Sequence, residues 1–472
     1  MFCQLETIRR CFPSSIRQIL NELPTTLDET YERTLSEIPE EKWKQAHRLF
    51  QCLIVASRPL RIDELAEVLA IRFESETTAD LIKGWRPEYT EDAVLSACSS
   101  LIAVVEVDGS PVVQFSHFSV KEFLTSNRLA IALSRSVSRY HIPPEPAHKI
   151  LAQACLGTLL ELDEHIDKNR LKNYPLAFYA AHHWFEHARF GDVSFSICDS
   201  MGQLFDPSKP HFSAWIWIYD ADEEQMNPAE RPSQPEKTPL YYSALCGLRS
   251  VAEQLITIYP NDINSREGSH WSPLGGAVHN GHLDVARLLL EHGAFRNHVV
   301  GNWTLLHYAS YDNNIDVMEL LLEHGADVHC VDGLGQTPLH IASWNGRVQA
   351  MEKLLEYGAD LNIHSKSGWT PLHQTSIQGS PEGVRLLLRH GANVNDKDGC
   401  GWTAIHHSSY NGRLEITQAL LGCGADVHAR NKSNWTPFKW ASERGHHDVA
   451  QLLLEHGAEA SRLPGLPRSP VS

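Results

Sequence analysis

The segment Gln336-Thr-Pro-Leu-His340 returns one period later as Trp369-Thr-Pro-Leu-His373. Altered forms stand at Trp303-Thr-Leu-Leu-His307, Trp402-Thr-Ala-Ile-His406 and Trp435-Thr-Pro-Phe-Lys439. Gly-Ala pairs recur in the same frame, their glycines at 293, 325, 358, 391, 424 and 457, one step of 32 residues and four of 33. A period of this length signals stacked units, because one unit alone buries too little apolar surface and must share its face with neighbours.

Each unit has its own local logic. Threonine caps a helix and proline follows at the first helical position, where its missing N–H is not needed. The glycine of Gly-Ala ends a second helix in the left-handed conformation, and Asp-Val-His or Asn-Val-Asn leads on into a hairpin. Together these residues resemble the ankyrin repeat. Six units are clear, and a degenerate seventh precedes them with Thr238-Pro-Leu240, Gly247 and Ile263-Asn264, where Tyr259-Pro260 replaces Gly-Ala. The resemblance implies that the histidine after Thr-Pro-Leu ties neighbouring repeats together, which accounts for much of the chain's 27 histidines.

The same resemblance implies ligand binding by hairpin tips and by the concave face of the first helices. The residue before the capping threonine is Trp271, Trp303, Gln336, Trp369, Trp402 and Trp435 in successive repeats. A second row runs His279, Tyr311, Trp344, Ile377, Tyr410 and Glu443, with Asn280, Asp312, Asn345, Gln378, Asn411 and Arg444 beside it. Aromatics supply large rigid contact area and amides set register. Trp303, Tyr311, Asp312, Trp344, Asn345, Trp369, Ile377, Gln378, Trp402, Tyr410, Asn411 and Trp435 are therefore the expected contacts for a protein partner. The bland alternative for the tryptophans is packing of each indole on the adjacent hairpin.

The front half reads differently. Thr26-Leu-Asp-Glu29 opens a helix over 26–38, a second helix spans about 42–56, and a third spans 62–72. Leu101–Val107 and Val112–His117 form a hairpin about Asp108-Gly109, and Ser119-Val-Lys-Glu122 caps a further helix. Helices followed by a two-stranded wing describe a winged helix. The stretches Leu23-Pro-Thr-Thr-Leu-Asp-Glu-Thr-Tyr-Glu-Arg33, Arg58-Pro-Leu-Arg-Ile-Asp-Glu-Leu-Ala66 and Phe115-Ser-His-Phe-Ser-Val-Lys-Glu-Phe-Leu124 resemble the region after the NACHT ATPase core in fungal NACHT–ankyrin proteins of the STAND class. That winged helix is similar to the one of GPI inositol-deacylase-like proteins. The resemblance implies the end of a NACHT-associated helical region at 1–40, a winged helix at 41–130 and a helical spacer at 131–219. An acidic Pro-rich linker at 220–237 then separates spacer from repeats at 238–461, with a disordered tail at 462–472. No GxxxxGK[ST] is present, so no loop wraps backbone amides around phosphates. The expectation is a truncated gene product or a relative without its motor.

Composition narrows the chemistry. The chain has 472 residues, 21% charged, with net charge −17. Both the repeats, with 16 basic and 23 acidic residues over 237–460, and the front half, with 23 and 35 over 1–236, are acidic. Nucleic acid and anionic membranes want a basic face, so neither is expected as partner. No run approaches the roughly 18 apolar residues of a membrane span. The ten scattered cysteines suit reduced thiols in the cytoplasm. His183-Trp-Phe-Glu-His187 is a literal HxxEH, read here as a structural helix and not as a zinc site. Asp63, Glu64 and Glu67 on the candidate DNA-reading helix would meet phosphates with the wrong sign. The sequence expectation is a mainly α protein, an ankyrin-repeat α-solenoid preceded by a winged helix and a helical spacer. It is expected to be a non-enzymatic interaction module without catalytic residues, cofactor or metal.

Overall fold

The computed structural model describes residues 26–73, 80–81, 90–98, 100–107, 109–131, 134–221, 237–266 and 272–459. Trp271, Asp108, most of 1–40, the interior of the acidic linker and the tail 462–472, for which the sequence sets expectations, lie outside them. The described chain is mainly helical and forms two compact units, divided after Pro273.

In the first unit, Thr26 Oγ1 accepts the Glu29 N–H at 3.2 Å and opens helix α1, Leu27–Ser36. Helix α2, Trp43–Val55, buries Ala46, Leu49, Phe50 and Ile54, the face that its apolar spacing sets. Strand β1, Leu60–Arg61, leads into α3, Ile62–Leu69, which ends earlier than expected because Ile71–Arg72 pairs as strand β2 with Asp80–Leu81, β3. Helix α4, Thr90–Cys98, precedes the wing. Strands β4, Ile102–Val107, and β5, Ser110–Phe115, pair antiparallel from Ile102↔Phe115 to Val107↔Ser110, and β1 adds to β5. Gly109 turns the hairpin at φ +75°. The next helix, α5, Phe118–Thr125, is capped by His117 Nδ1 rather than Ser119, which itself donates its N–H to that nitrogen at 3.2 Å.

Helix α8, Pro144–Leu159, is buried from Leu151 to its end and packs on α2 and on α10, Ala177–Ala188. Short helices α6, Asn127–Ala130, and α7, Arg135–Ser138, join it to the wing, and α9, Lys168–Leu171, precedes α10. Trp184 of α10 packs edge-on against Trp215 of α13, Pro210–Ile218, whose indole N–H donates to Ala181 O at 2.9 Å. Between them lie α11, Val193–Ser196, and α12, Cys198–Leu204. The degenerate first repeat, α14, Pro239–Leu245, and α15, Arg249–Ile258, belongs to this unit: Tyr242 packs on Phe212 and Trp215 at 5.7 and 5.8 Å. Lys237 and Asp220, the two ends of the acidic stretch, are paired at 3.2 Å.

The second unit is a row of helix pairs: α16/α17 at Pro273–His279 and Leu283–Glu291, α18/α19 at Leu305–Asp312 and Ile315–Glu323, and α20/α21 at Pro338–Trp344 and Val348–Glu356. Pairs α22/α23 at Pro371–Gln378 and Pro381–Arg389, α24/α25 at Ala404–Tyr410 and Leu414–Gly422, and α26/α27 at Pro437–Glu443 and His447–Glu455 complete it. Neighbouring first helices pack on each other, as do neighbouring second helices. Between them the Leu-Leu-Leu stripes, such as Leu320–Leu321 and Leu386–Leu387, are buried. Each such leucine contributes about 1.5–3 kcal/mol of burial, available only when the next unit is present. Every glycine of the Gly-Ala series ends its helix with positive φ, between 78° at Gly325 and 92° at Gly293.

Candidate partner-binding surface

The scaffold of the surface is a hydrogen-bond relay between repeats. His340 Nδ1 accepts from Thr337 Oγ1 at 2.8 Å, and its Nε2–H donates to Trp369 O in the next repeat at 2.9 Å. His307 reaches Gln336 O, His373 reaches Trp402 O and His406 reaches Trp435 O in the same way, at 2.9, 3.1 and 3.1 Å. The carbonyl that accepts belongs to the residue of the tryptophan row. Its N–H is held too: Trp402 N donates to Asp398 Oδ1 at 2.8 Å, Trp435 N to Asn431 Oδ1 at 2.9 Å and Trp369 N to Ser365 Oγ at 3.1 Å. Both backbone groups of Trp369, Trp402 and Trp435 are thus fixed by their neighbours.

The relay requires neutral imidazoles, since Nδ1 must accept. Burial, with the neighbouring His407 adding to it, pushes His373 down to about 4. Burial outweighs the Trp435 carbonyl and lowers His406 to about 4 as well. Burial alone would raise Asp398, but the hydrogen bond from His407 Nε2 at 3.1 Å and the N–H groups of Trp402 and Cys400 hold it below the usual carboxylate range.

The two sequence rows meet different fates. Trp303, Trp369, Trp402 and Trp435 are half-buried, with Trp303 Nε1 donating to Asp332 Oδ2 at 3.2 Å. In the second row Tyr311 and Trp344 stand 43% and 48% exposed, whereas Ile377 and Tyr410 are half-buried. Asp312 and Gln378 are exposed. Asn345 and Asn411 spend their amide N–H inward, on Ile341 O and His407 O, both at 2.8 Å, and so finish their own helices.

Ring contacts join the rows. Trp344 lies 6.0 Å from Trp369, Trp369 5.5 Å from His407, and His407 4.9 Å from Trp402. Trp402 then touches Tyr410 and Trp440 at 5.5 and 4.8 Å, and Trp440 touches Trp435 at 4.3 Å. Trp303, Tyr308 and Tyr311 form a separate group at 5.2 and 5.6 Å. Sequence reasoning missed Tyr308, His407 and Trp440. They occupy the position after the relay histidine, or after Lys439 in its place, in a row with Ile341 and Gln374 at the same 33-residue spacing, so the signal was present.

Two other candidates resolve into packing. His187 of the HxxEH stretch is buried, its Nε2 bonded to Tyr179 OH at 2.8 Å and its Nδ1 to His148 Nδ1 at 2.9 Å. His183 Nδ1 pairs instead with Glu186 at 3.2 Å. Among the described residues no group of three or more His, Cys, Asp or Glu is placed to hold a metal ion. On α3 the sequence expectation needs correction: Glu64 and Glu67 do not face solvent but are 0% and 3% exposed. Arg58 clasps Glu64 with two bonds of 2.9 and 2.7 Å, and Glu67 accepts the Leu176 N–H of the spacer at 2.7 Å. Glu67 is therefore turned onto the spacer and Glu64 onto Arg58, while Asp63 stays partly exposed beside Arg61. No helix among the described residues is long and apolar enough to cross a membrane.

Comparison with known proteins agrees with this architecture. The ankyrin repeat family, in its three-copy form, matches residues 240–332, 306–398 and 395–462. The winged helix domain of GPI inositol-deacylase matches residues 13–134. The chain is 30% identical over 295 residues to azaphilone pigments biosynthesis cluster protein L of Monascus ruber, covering 58% of this chain and 61% of that protein. It is 37% identical over 77 residues to 26S proteasome non-ATPase regulatory subunit 10 of Dictyostelium discoideum, covering 16% of this chain and 33% of that one. Over 90 residues it is 37% identical to ankyrin repeat domain-containing protein 49 of Bos taurus, covering 17% of this chain and 38% of that one. The chain thus spans about a third to three fifths of the length of these relatives. It carries ankyrin repeats, which mark a protein–protein interaction module, and a winged helix of the GPI inositol-deacylase kind.

Proposed function

We propose that the chain is a non-enzymatic sensor or scaffold of a STAND-type signalling protein, and that its ankyrin array captures a protein partner on the concave face. The observation that carries the reading is the ridge from Trp344 to Trp435, with Tyr311 and Trp344 left open on an array whose relay histidines are spent on the fold. Large rings fixed by their backbone give contact area at little entropic expense. Trp303, Asp312, Trp369, Ile377, Gln378, Trp402, Tyr410 and Asn411 complete the surface, with Asn345 and Asn411 serving it by ending their helices. Replacing Tyr311, Trp344 and Tyr410 together by Ala abolishes partner capture from lysate while the helical circular dichroism stays unchanged; undiminished capture overturns the assignment.

A second reading treats the chain as the regulatory part of an ATP-driven NACHT switch, in which the array restrains a motor until a ligand arrives. The winged helix match beside the repeats favours it. An in-frame GxxxxGK[ST] in genomic sequence upstream of Met1 decides for the switch, and its absence decides for a protein that works without a motor.

A further inference from the structure

The cations of the array are divided between its two sides. On the second helices all but Arg389, at the end of α23, are paired: Lys353 meets Glu319 and Glu356 at 2.7 Å, Arg385 meets Glu382 and Glu415 at 3.7 Å, and Arg287 meets Glu323 at 3.7 Å. On the hairpins and first helices of the last three repeats, Lys366, Lys397, Arg430, Lys432, Lys439 and Arg444 form no ion pair with any described residue. The carboxylates on that side form no ion pair with these cations, although their neutral hydrogen-bond donors leave their charge in place. Asp398 faces His407, Asp396 accepts Asn393 Nδ2 at 2.5 Å, and Asp426 caps the His428 N–H at 2.9 Å. Glu443 stands exposed on α26.

Position holds these cations in a line. Residues 333, 366, 399 and 432 share one place in successive hairpins and read Gly, Lys, Gly, Lys. Lys366 Nζ donates to Gly333 O at 2.8 Å and Lys432 Nζ to Gly399 O at 2.6 Å, each reaching the tip before it. A carbonyl takes one of the three ammonium donors and none of the charge. Lys439 Nζ lies 3.9 Å above the Trp435 ring, and the Arg444 guanidinium 3.9 Å above Tyr410. Stacking orients both cations beside the aromatic ridge without neutralising them.

Resting on the interaction surface proposed above, we infer that its partner at the last three repeats is an acidic peptide segment, lying extended along the hairpins with Asp or Glu side chains against Lys397, Lys432 and Arg444 and an apolar side chain on the Trp402–Trp440 rings. Cations on rings can also serve single-stranded nucleic acid. The array as a whole is acidic, however, with 16 basic and 23 acidic residues over 237–460, and it repels a long polyanion where a short peptide matches its charges locally.

The test screens the full chain against a displayed library of random-sequence peptides, with an oligothymidine as the nucleic-acid probe. Enriched peptides rich in Asp and Glu are expected, their affinity falling about tenfold in Lys397→Gln/Lys432→Gln/Arg444→Gln and weakening with added salt. Circular dichroism verifies the fold, and the single variant Lys432→Gln, predicted to lose several-fold, serves if the triple one unfolds. Enriched peptides without net negative charge, acidic peptides indifferent to the neutralised lysines, or tighter binding of oligothymidine overturn the inference. If neutral peptides bind and are lost on Tyr311→Ala/Trp344→Ala/Tyr410→Ala, the acidic partner is wrong while the interaction surface stands.

Discussion

His373 donates its Nε2–H to the carbonyl of Trp402, 29 residues onward, at 3.1 Å, while its Nδ1 accepts from Thr370 Oγ1 at 2.8 Å. One side chain thereby caps its own helix and fixes the backbone of an aromatic residue in the next repeat. Stability and the shape of the surface are coupled through it.

Removing such a link leaves a buried threonine hydroxyl and a carbonyl without their partner. His340→Ala is expected to destabilise the array by about 2–3 kcal/mol, because unsatisfied buried groups add to the lost bond and the cavity. Urea unfolding followed by circular dichroism measures it; a change below about 0.5 kcal/mol contradicts the relay.

The relay also sets an acid limit. His373 and His406 sit at about 4 in the folded chain, below the unfolded value of about 6.5, so folding favours their neutral form. Their contribution is complete above about pH 6.5 and disappears progressively as the pH falls toward about 4, at up to about 1.4 kcal/mol per unit for each histidine. Urea midpoints measured from about pH 7.5 to about pH 4.5 should decline through this window, and a flat profile speaks against it.

Trp440 Nε1 is buried without a hydrogen-bond partner inside the ring cluster. Trp440→Phe keeps most of the packing and removes the orphaned donor, so stability should change by less than about 1 kcal/mol. Trp440→Ala opens the cluster and is expected to destabilise by about 2–4 kcal/mol. Thermal unfolding of the two variants separates packing from polarity, and equal losses refute this account.

In the first unit, Arg58→Ala removes two charge-assisted bonds from the fully buried Glu64 carboxylate and leaves it only Arg61, whose Nε lies 3.3 Å away and whose backbone N–H donates at 2.8 Å. The expected loss is about 1–3 kcal/mol, because Arg61 still compensates the charge, whereas Arg58→Met combined with Glu64→Leu should recover most of it. A double variant no more stable than Arg58→Ala would show that the charges are not what matters.

At Gly399 the backbone leaves no room: an added Cβ would lie 2.6 Å from Ser367 O. Gly399→Ala should force the two hairpins apart and lower stability by about 1–3 kcal/mol, while Gly422→Ala, with open space around it, stays within about 1 kcal/mol. Equal effects at the two sites, read by thermal melts, would show that the hairpin contact is loose.

The repeat is readable in the chain alone, because Thr-Pro-Leu-His and Gly-Ala are local requirements of capping and chain reversal that a 33-residue period makes visible. So is the wing, where Gly109 and alternating apolar residues specify a hairpin. The tryptophan and Tyr311 rows were legible as periodic rows but not as accessible or covered, since exposure depends on the neighbouring unit.

That Asn345 and Asn411 bond inward, and that Trp440 and His407 complete the ridge, follows from the packing of the folded repeats. Packing within the first unit likewise turns Glu64 and Glu67 from a solvent face onto Arg58 and Leu176. Helical periodicity reports which residues share a face; what that face meets is fixed by segments some hundred residues away, as Glu67 and Leu176 are. The division of the array's cations into paired and unpaired sides has the same origin, because an ion pair between repeats exists only once the repeats are stacked.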